Sequence, residues 1–478
     1  MRNPRQTFGT ISGFFDCQAT TPETNFEELR SRGCESIISG IPHSLGFHLV
    51  AGNQVLNSTV DEKTVSNFTQ TMSYQDGVVQ WKYTWAPRNM SVRFDVEMTS
   101  FMHRTRPNVA ASELRVTPRG GNCNVSIVDL IDGRSAVRSS LGEKGMSDSS
   151  DTFIYVSNHP EGLPTVTAWT LSKSNVSNGY TVESSRRATA IETSSDMSIG
   201  QEWDVALVDE ETAVFQKFIG LATSDKFVDP RSTAIFESHE AFVVGWDAII
   251  EEHRHAWNNL MSPDRVLSLR DPVSGILPVN DEHVQQLQIM HTASHFYLLQ
   301  NLLDSSTNLN DNSVSVGGLT SDSYGGLVFW DADFWMFPTI METNPDYAAQ
   351  FPNYRVKTYA QSKANAQEDY VQAKYNFDKE SALYSWTSGR YGNATGTGPV
   401  LDYEEHINAI VAISMFEWLA VTGNEGIFKE KYWPVVRSIG HTIATLLQKD
   451  GTGYSIRNMT DPDEYAVSPT LLQYPLLL

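Results

Sequence analysis

Apolar and polar residues alternate from Val92 to Thr99. Val92, Phe94, Val96 and Met98 fall on one side of an extended chain, and Arg93, Asp95, Glu97 and Thr99 on the other. A period of two predicts a strand with one buried face. Comparable runs cover Val78 to Trp85, Glu113 to Thr117, Val125 to Ile131, Asp151 to Ser157, Thr165 to Leu171, Ala188 to Thr193 and Trp203 to Phe218. Turn-forming clusters such as Pro118-Arg119-Gly120-Gly121 separate them. Many strands at short spacing between about Gln80 and Thr223 predict a large antiparallel β-sandwich.

Near Asp229-Pro230 the period changes, and Ala234 to Met261 has helical composition without an internal proline, which predicts a helical connector. Farther on, Val284, Leu287, His291, Ser294, Leu298 and Leu302 lie three or four apart and predict one helix face. A helix through Ile407, Ile410, Val411, Ser414, Met415 and Trp418 should stop at Gly423-Asn424. Another through Tyr432, Val435, Val436, Ile439, Ile443 and Leu446 should run to Gly451. Consecutive helices joined by long aromatic and acidic loops predict an α/α toroid with its site on the loops at one end. The expected fold is therefore α+β and multidomain.

Length and charge narrow the function classes. A chain of 478 residues predicts two to three domains, and 40% hydrophobic content is globular. With 35 basic against 57 acidic residues the formal net charge is −22, which makes nucleic acid an unsuitable partner. Three cysteines, Cys17, Cys34 and Cys123, allow either one bridge with a free thiol or three thiols. Sequons at Asn57, Asn67, Asn89, Asn124, Asn175, Asn393 and Asn458 predict N-glycans and passage through the secretory route. The first thirty residues contain no signal-peptide core, so the true start is expected upstream, and no segment is apolar for long enough to span a membrane.

The densest chemistry lies in Ser323-Tyr324-Gly325-Gly326-Leu327-Val328-Phe329-Trp330-Asp331-Ala332-Asp333-Phe334-Trp335. A sugar ring stacks its C–H face on an indole and offers its hydroxyls to carboxylates, so Trp330 and Asp331 are candidate substrate contacts. The alternative is core packing for Trp330 and Trp335 and helix capping by Asp331 or Asp333. Trp386, in Tyr384-Ser385-Trp386-Thr387-Ser388-Gly389-Arg390, and Glu404, in Asp402-Tyr403-Glu404-Glu405-His406, are candidates for an outer sugar subsite. Glu404 and Glu405 could equally favour a helix start through the macrodipole, and His406 reads as a packed histidine. Glu464, in Asp461-Pro462-Asp463-Glu464-Tyr465, is a candidate acid whose acidic neighbours have the sign that raises a carboxyl pKa; its alternative is an exposed turn. Histidine pairs such as His291 and His295 lack an accompanying acidic motif, so no metal is expected. Without a phosphate loop or dinucleotide fingerprint, no cofactor is expected either.

Arg5-Gln6-Thr7-Phe8-Gly9-Thr10-Ile11-Ser12-Gly13, Gly325 to Asp333, Trp386 to Arg390 and Asp461 to Tyr465 together resemble fungal acid trehalases of glycoside hydrolase family 65, which also holds the maltose and kojibiose phosphorylases. The resemblance covers residues 1 to about 466. It implies a β-sandwich over 1–230, a helical linker over 231–280 and the first part of an (α/α)6 barrel over 281–466, with 467–478 outside the pattern. It further implies that Trp330 and Asp331 hold the nonreducing glucose of α,α-trehalose and that Glu464 protonates its glycosidic oxygen, with inversion at carbon. The general base and a Lys-Gln contact would lie beyond this chain, so truncation at both ends, low solubility and little activity are expected of it. Alternatives are a disaccharide phosphorylase of the same family and a noncatalytic carbohydrate-binding protein. The implied location is secreted, in the cell wall or vacuole.

Overall fold

The computed structural model describes residues 8–19, 34–148, 151–176, 186–191, 193–395 and 404–457. Two compact units emerge: Met1–Ile11 with Ser39–Ala293, and Ser12–Ile38 with Ser294–Leu478. Residues 12–38, which the resemblance places in the sandwich, thus cluster with the helical unit.

The first unit holds β1 (Phe47–Ala51), β2 (Gln54–Leu56), β3 (Val65–Ser73), β4 (Val78–Trp85), β5 (Arg93–Met102), β6 (Val109–Arg119), β7 (Cys123–Ile131), β8 (Ser139–Met146), β9 (Phe153–Pro160), β10 (Ala168–Asn175), β11 (Arg187–Ala188), β12 (Ile199–Leu207) and β13 (Ala213–Thr223). One sheet is ordered β11-β12-β7-β1-β2, the other β3-β4-β5-β6-β13-β10-β9-β8. Phe47, Leu49, Val125, Ile127, Trp203 and Val205 from the first meet Trp85, Phe94, Val96, Leu114 and Phe215 from the second in one core, so the unit is a β-sandwich. Within β5, Phe94 and Val96 are buried and Arg93 is exposed, as their alternation requires. The strands start well before Gln80. The run Trp203 to Phe218 is two strands rather than one, and the Ala188 to Thr193 run shortens to a two-residue strand.

Helices α1 (Pro230–Val244) and α2 (Trp246–Leu260) form the expected helical segment. The Asp229 carboxylate accepts from the Ser232 N–H at 3.0 Å and Pro230 opens the first turn, where a missing N–H matters least. Rather than running free, these helices cover the outer face of the eight-stranded sheet: Phe101, Val109, Ala111 and Phe218 pack against Ala241, Trp246, Ile249 and Ile250. Closeness is set by Gly220, where an added Cβ would lie 1.9 Å from the Ala234 carbonyl oxygen.

Deep in the sandwich, Asp129 and Lys217 form an ion pair at 2.9 Å with both side chains fully buried. Asp129 also accepts from Ser172, Ser174 and Gln201, while Lys217 Nζ donates to the Gly46 carbonyl at 2.7 Å. Such a pair is tolerable only because its lone pairs and protons are matched.

Helix α3 (Glu282–Leu299) buries His295, Phe296 and Leu299, not the stripe through Leu287 and Ser294, which are exposed. Apolar residues surround this helix on several sides, so the neighbour decides which face is buried. In the second unit follow α4 (Phe337–Met341), α5 (Gln350–Lys357), α6 (Tyr359–Ala366), α7 (Asp369–Tyr375), α8 (His406–Thr422) and α9 (Trp433–Leu446). Ile407, Ile410, Val411, Ser414, Met415 and Trp418 are the buried positions expected of α8, which ends at Gly423 with φ of 63°. Helix α9 stops at Leu446 rather than Gly451, because Gly451, at φ 62°, turns a hairpin of β14 (Leu447–Asp450) and β15 (Gly453–Ile456). No helix among the described residues is long and apolar enough to cross a membrane.

Candidate functional site

Everything in the candidate site belongs to the helical unit. Tyr324, Gly325 and Gly326 have φ of 53°, 67° and 66°, three left-handed residues in a row that reverse the chain. Val328 then exchanges backbone hydrogen bonds with Ser388 at 2.9 and 3.1 Å, which ties this loop to the Trp386 loop. Trp330 and Asp331 begin a helical turn that widens into a π-type turn over Ala332–Met336 before α4. Such turns rotate successive side chains away from the regular helical positions.

Two carboxylates two residues apart have opposite surroundings. Asp333 is buried against the equally buried Arg355: Arg355 Nε lies 3.1 Å and Nη2 2.5 Å from its Oδ2, and Nη2 also donates to the Phe329 carbonyl at 3.2 Å. The guanidinium carbon sits over the rings of Tyr354 and Tyr384 at 5.5 and 5.7 Å. Burial opposes the Arg355 charge, yet the adjacent Asp333 carboxylate leaves its pKa raised. Burial also pushes the Tyr354 phenol up to about 12, so it stays neutral, donates to the Gly389 carbonyl at 2.8 Å and accepts from Ser388 Oγ at 2.8 Å. Asp333 therefore anchors the turn and has no freedom to act as a base. Asp331 is half-buried, and its carboxylate has no hydrogen-bond or ion-pair partner among the described residues. It makes no helix-capping hydrogen bond.

The Trp330 indole is half-buried and flanked by Phe334 and Trp335, with ring centroids 5.7 and 6.0 Å away. His406 meets it edge to face at 5.1 Å. His406 Nε2 lies 2.9 Å from Oε2 of Glu404, a fully buried carboxylate at φ 61° whose oxygens make no well-aligned hydrogen bond among the described residues. Glu405 makes no capping bond at the start of α8; its Oε1 accepts from the Tyr375 hydroxyl at 2.9 Å. Trp386 packs against a cluster of Val371, Phe377, Leu383 and Leu446, as Tyr375 also does, and its buried indole N–H has no partner among the described residues. The structure thus joins Trp330 to Glu404 through His406, while Trp386 and Tyr375, the partner of Glu405, pack against one apolar cluster. Glu464 lies outside the described residues, as does Asn458. Sequence reasoning missed Arg355 as an anchor and gave His406 only a packing role; its place two residues after Glu404 was the available signal.

Of the sequons, Asn67, Asn89 and Asn124 are exposed on the sandwich and Asn57 is partly so. Asn67 occupies a bulge of the edge strand β3 at φ 53°. Asn393 differs, because its Oδ1 is enclosed and Thr395 is buried against Ser36.

The described residues thus form a sandwich with covering helices and a helical unit whose loops set an indole beside a carboxylate with no partner among them. Residues 2–260 match the N-terminal domain of glycosyl hydrolase family 65 and residues 294–470 its central catalytic domain, and the chain belongs to that family. It is 38% identical to an acid trehalase of Emericella nidulans and 37% identical to a cell wall acid trehalase of Arthroderma benhamiae, in each case over 97% of this chain and 44% of the relative. The chain thus spans less than half the length of these relatives. Among solved structures, a human-microbiome protein assigned as a kojibiose phosphorylase superposes with a TM-score of 0.76 over 95% of this chain and 56% of that one, at 11% identity, a likeness of fold.

Proposed function

We propose that this chain carries the glucose-holding part of an inverting glycoside hydrolase that splits α,α-trehalose into two glucose molecules. The observation that carries this reading is the pairing of Trp330 with Asp331: a partly open indole next to a carboxylate that no described protein group uses, on a turn fixed from beneath by Asp333 and Arg355. In this reading the indole takes the sugar's C–H face and Asp331 takes two hydroxyls. Glu404 and Trp386 serve the outer sugar, with His406 holding the Glu404 side chain. Glu464 is the general acid that protonates the bridging oxygen, and a second carboxylate activates water on the opposite face. The helices after Ser294 are read as the first part of an (α/α)6 barrel with these loops at one end.

The relatives' names support trehalose as the substrate, and the cell wall as the location. Glycans are assigned to the exposed Asn67, Asn89 and Asn124 and to Asn57, and not to the enclosed Asn393. In a polypeptide of the relatives' full length, Glu464→Gln should lower glucose release from trehalose by about 10²- to 10⁴-fold, the usual contribution of general acid catalysis. Retained turnover would remove Glu464 from the mechanism. Glucose 1-phosphate among the products in phosphate buffer would replace hydrolysis by phosphorolysis. Trehalose binding that persists beside a complete lack of turnover in that polypeptide would leave a carbohydrate-binding protein.

A further inference from the structure

Ser12–Ile38 lies within the helical unit although it comes first in sequence. Its described ends pair antiparallel, Phe15 with Ile38 and Gln18 with Glu35, and a Cys17–Cys34 disulfide closes the pair. Asp16, fully buried, completes this clasp: Oδ1 accepts the Ile37 N–H at 2.7 Å and Oδ2 accepts from Gln18 Nε2 at 2.5 Å.

The clasp touches both loops of the candidate site. Ile38 donates its N–H to the Gly325 carbonyl at 2.8 Å. The Ile38 side chain fills the space beside Gly326, where a Cβ would lie 2.3 Å from its Cγ2. On the other loop, the Ser36 N–H donates to Thr395 Oγ1 at 2.7 Å, and a Cβ on Gly389 would come within 2.8 Å of Ser36 Cβ. The loop that bears Trp330 and the loop that bears Trp386 share the bridge between Val328 and Ser388, and the clasp grips both beside it. Three successive left-handed residues make the Tyr324–Gly326 reversal a conformation that an unsupported chain would leave readily.

We propose that the Cys17–Cys34 clasp positions the Trp330 and Trp386 loops for their sugar, so that opening the bridge loosens the loops and weakens sugar binding. The sugar half of this statement rests on the function proposed above; the positioning half does not. Cys17, Cys34, Asp16 and Ile38 are positioning residues and touch no substrate.

Hydrogen–deuterium exchange on the 478-residue chain separates the two halves. Cys17→Ser with Cys34→Ser, and independently Asp16→Asn, should speed exchange of peptides covering 324–330 and 385–391 by about tenfold or more while β6 keeps its protection. Treating the folded wild type with dithiothreitol, which gives the bridge two electrons and closes to its own cyclic disulfide, should do the same if the cysteine variants fail to fold. Unchanged exchange at both loops in the Asp16 variant and in the reduced wild type would overturn the proposal. Trehalose titrated against tryptophan fluorescence should bind the variants about tenfold more weakly, about 1.4 kcal/mol. Equal affinity for wild type and variants would overturn the positioning role in binding. A wild type that binds no trehalose refutes the sugar reading, while the exchange result still decides whether the clasp holds the loops.

Discussion

Asp331 and Asp333 look alike in the sequence, and the fold gives them different tasks. Asp333 meets a guanidinium inside the protein, so Arg355→Met would strand a buried carboxylate and should destabilise the helical unit by about 3–5 kcal/mol, read from the urea midpoint. Asp331→Asn removes a charge with no partner among the described residues and should change stability by less than about 0.5 kcal/mol while abolishing detectable trehalose binding. A large stability loss in the Asp331 variant would mean that this carboxylate serves the fold and not a ligand. The clustering of Trp330 and Asp331 was legible because glycines, an indole and carboxylates stand within thirteen positions. Which carboxylate is the anchor was not legible: Arg355 lies 22 residues on, in a helix whose sequence gives no sign of where that side chain is directed. For Glu404, the acidic residues before α8 were visible, and it took the structure to put a histidine between one of them and Trp330.

At the level of elements, pattern was informative wherever a single face is buried. The alternation in the first half of β5 and the stripe of α8 both identify buried residues, because there one face is packed and the other is not; toward Phe101 the covering helix buries both faces of β5 and the alternation fails. Helix α3 defeats the same reasoning, since its apolar residues do not form one stripe and only contacts choose the face. Strand β3 escaped notice because Ser, Asn, Thr and Gln occupy most of its positions and none of its residues is fully buried, while β1 and β2 are only five and three residues long. Close approach between elements also leaves little trace in the sequence beyond a glycine. Gly220→Ala would push a methyl group onto the Ala234 carbonyl, so α1 must shift off the sheet. The expected cost is about 1–3 kcal/mol, typical of overpacking, with altered near-UV circular dichroism from Trp246. A variant as stable as wild type, with an unchanged spectrum, would show that α1 is not held at that distance.

For the whole molecule, acid is the informative stress. His103 and His253, both buried, already use both ring nitrogens as neutral imidazoles. The Nδ1 of His103 accepts from the Arg106 N–H at 3.1 Å, and its Nε2 faces the Ile249 carbonyl at 3.1 Å. The Nδ1 of His253 accepts from the Arg104 N–H at 3.1 Å, and its Nε2 faces the Gly77 carbonyl at 3.0 Å. A second proton on either ring would point at a backbone donor. Burial first, with neighbouring cations such as Arg106 for His103 and Arg104 for His253, lowers both pKa values to about 4; burial and then Lys217 do the same for His43. The unfolded chain takes up these protons near pH 6.5, the folded chain only near 4, so between those values the unfolded state binds more protons. Stability from these groups is therefore complete above about pH 6.5 and is lost as pH falls toward 4, by up to about 3 kcal/mol for each imidazole, with no further loss from them below that. Down to about pH 5 the acidic surface, with its formal charge of −22, keeps most of its carboxylates ionised, so relief of their repulsion arrives mainly at the lower end of the window in which the histidines act. Urea midpoints at pH 7, 5.5 and 4.5 should fall in that order. His253→Gln, which keeps a donor and an acceptor but cannot titrate, should give a shallower decline, and an unaltered slope would assign the acid sensitivity to other groups.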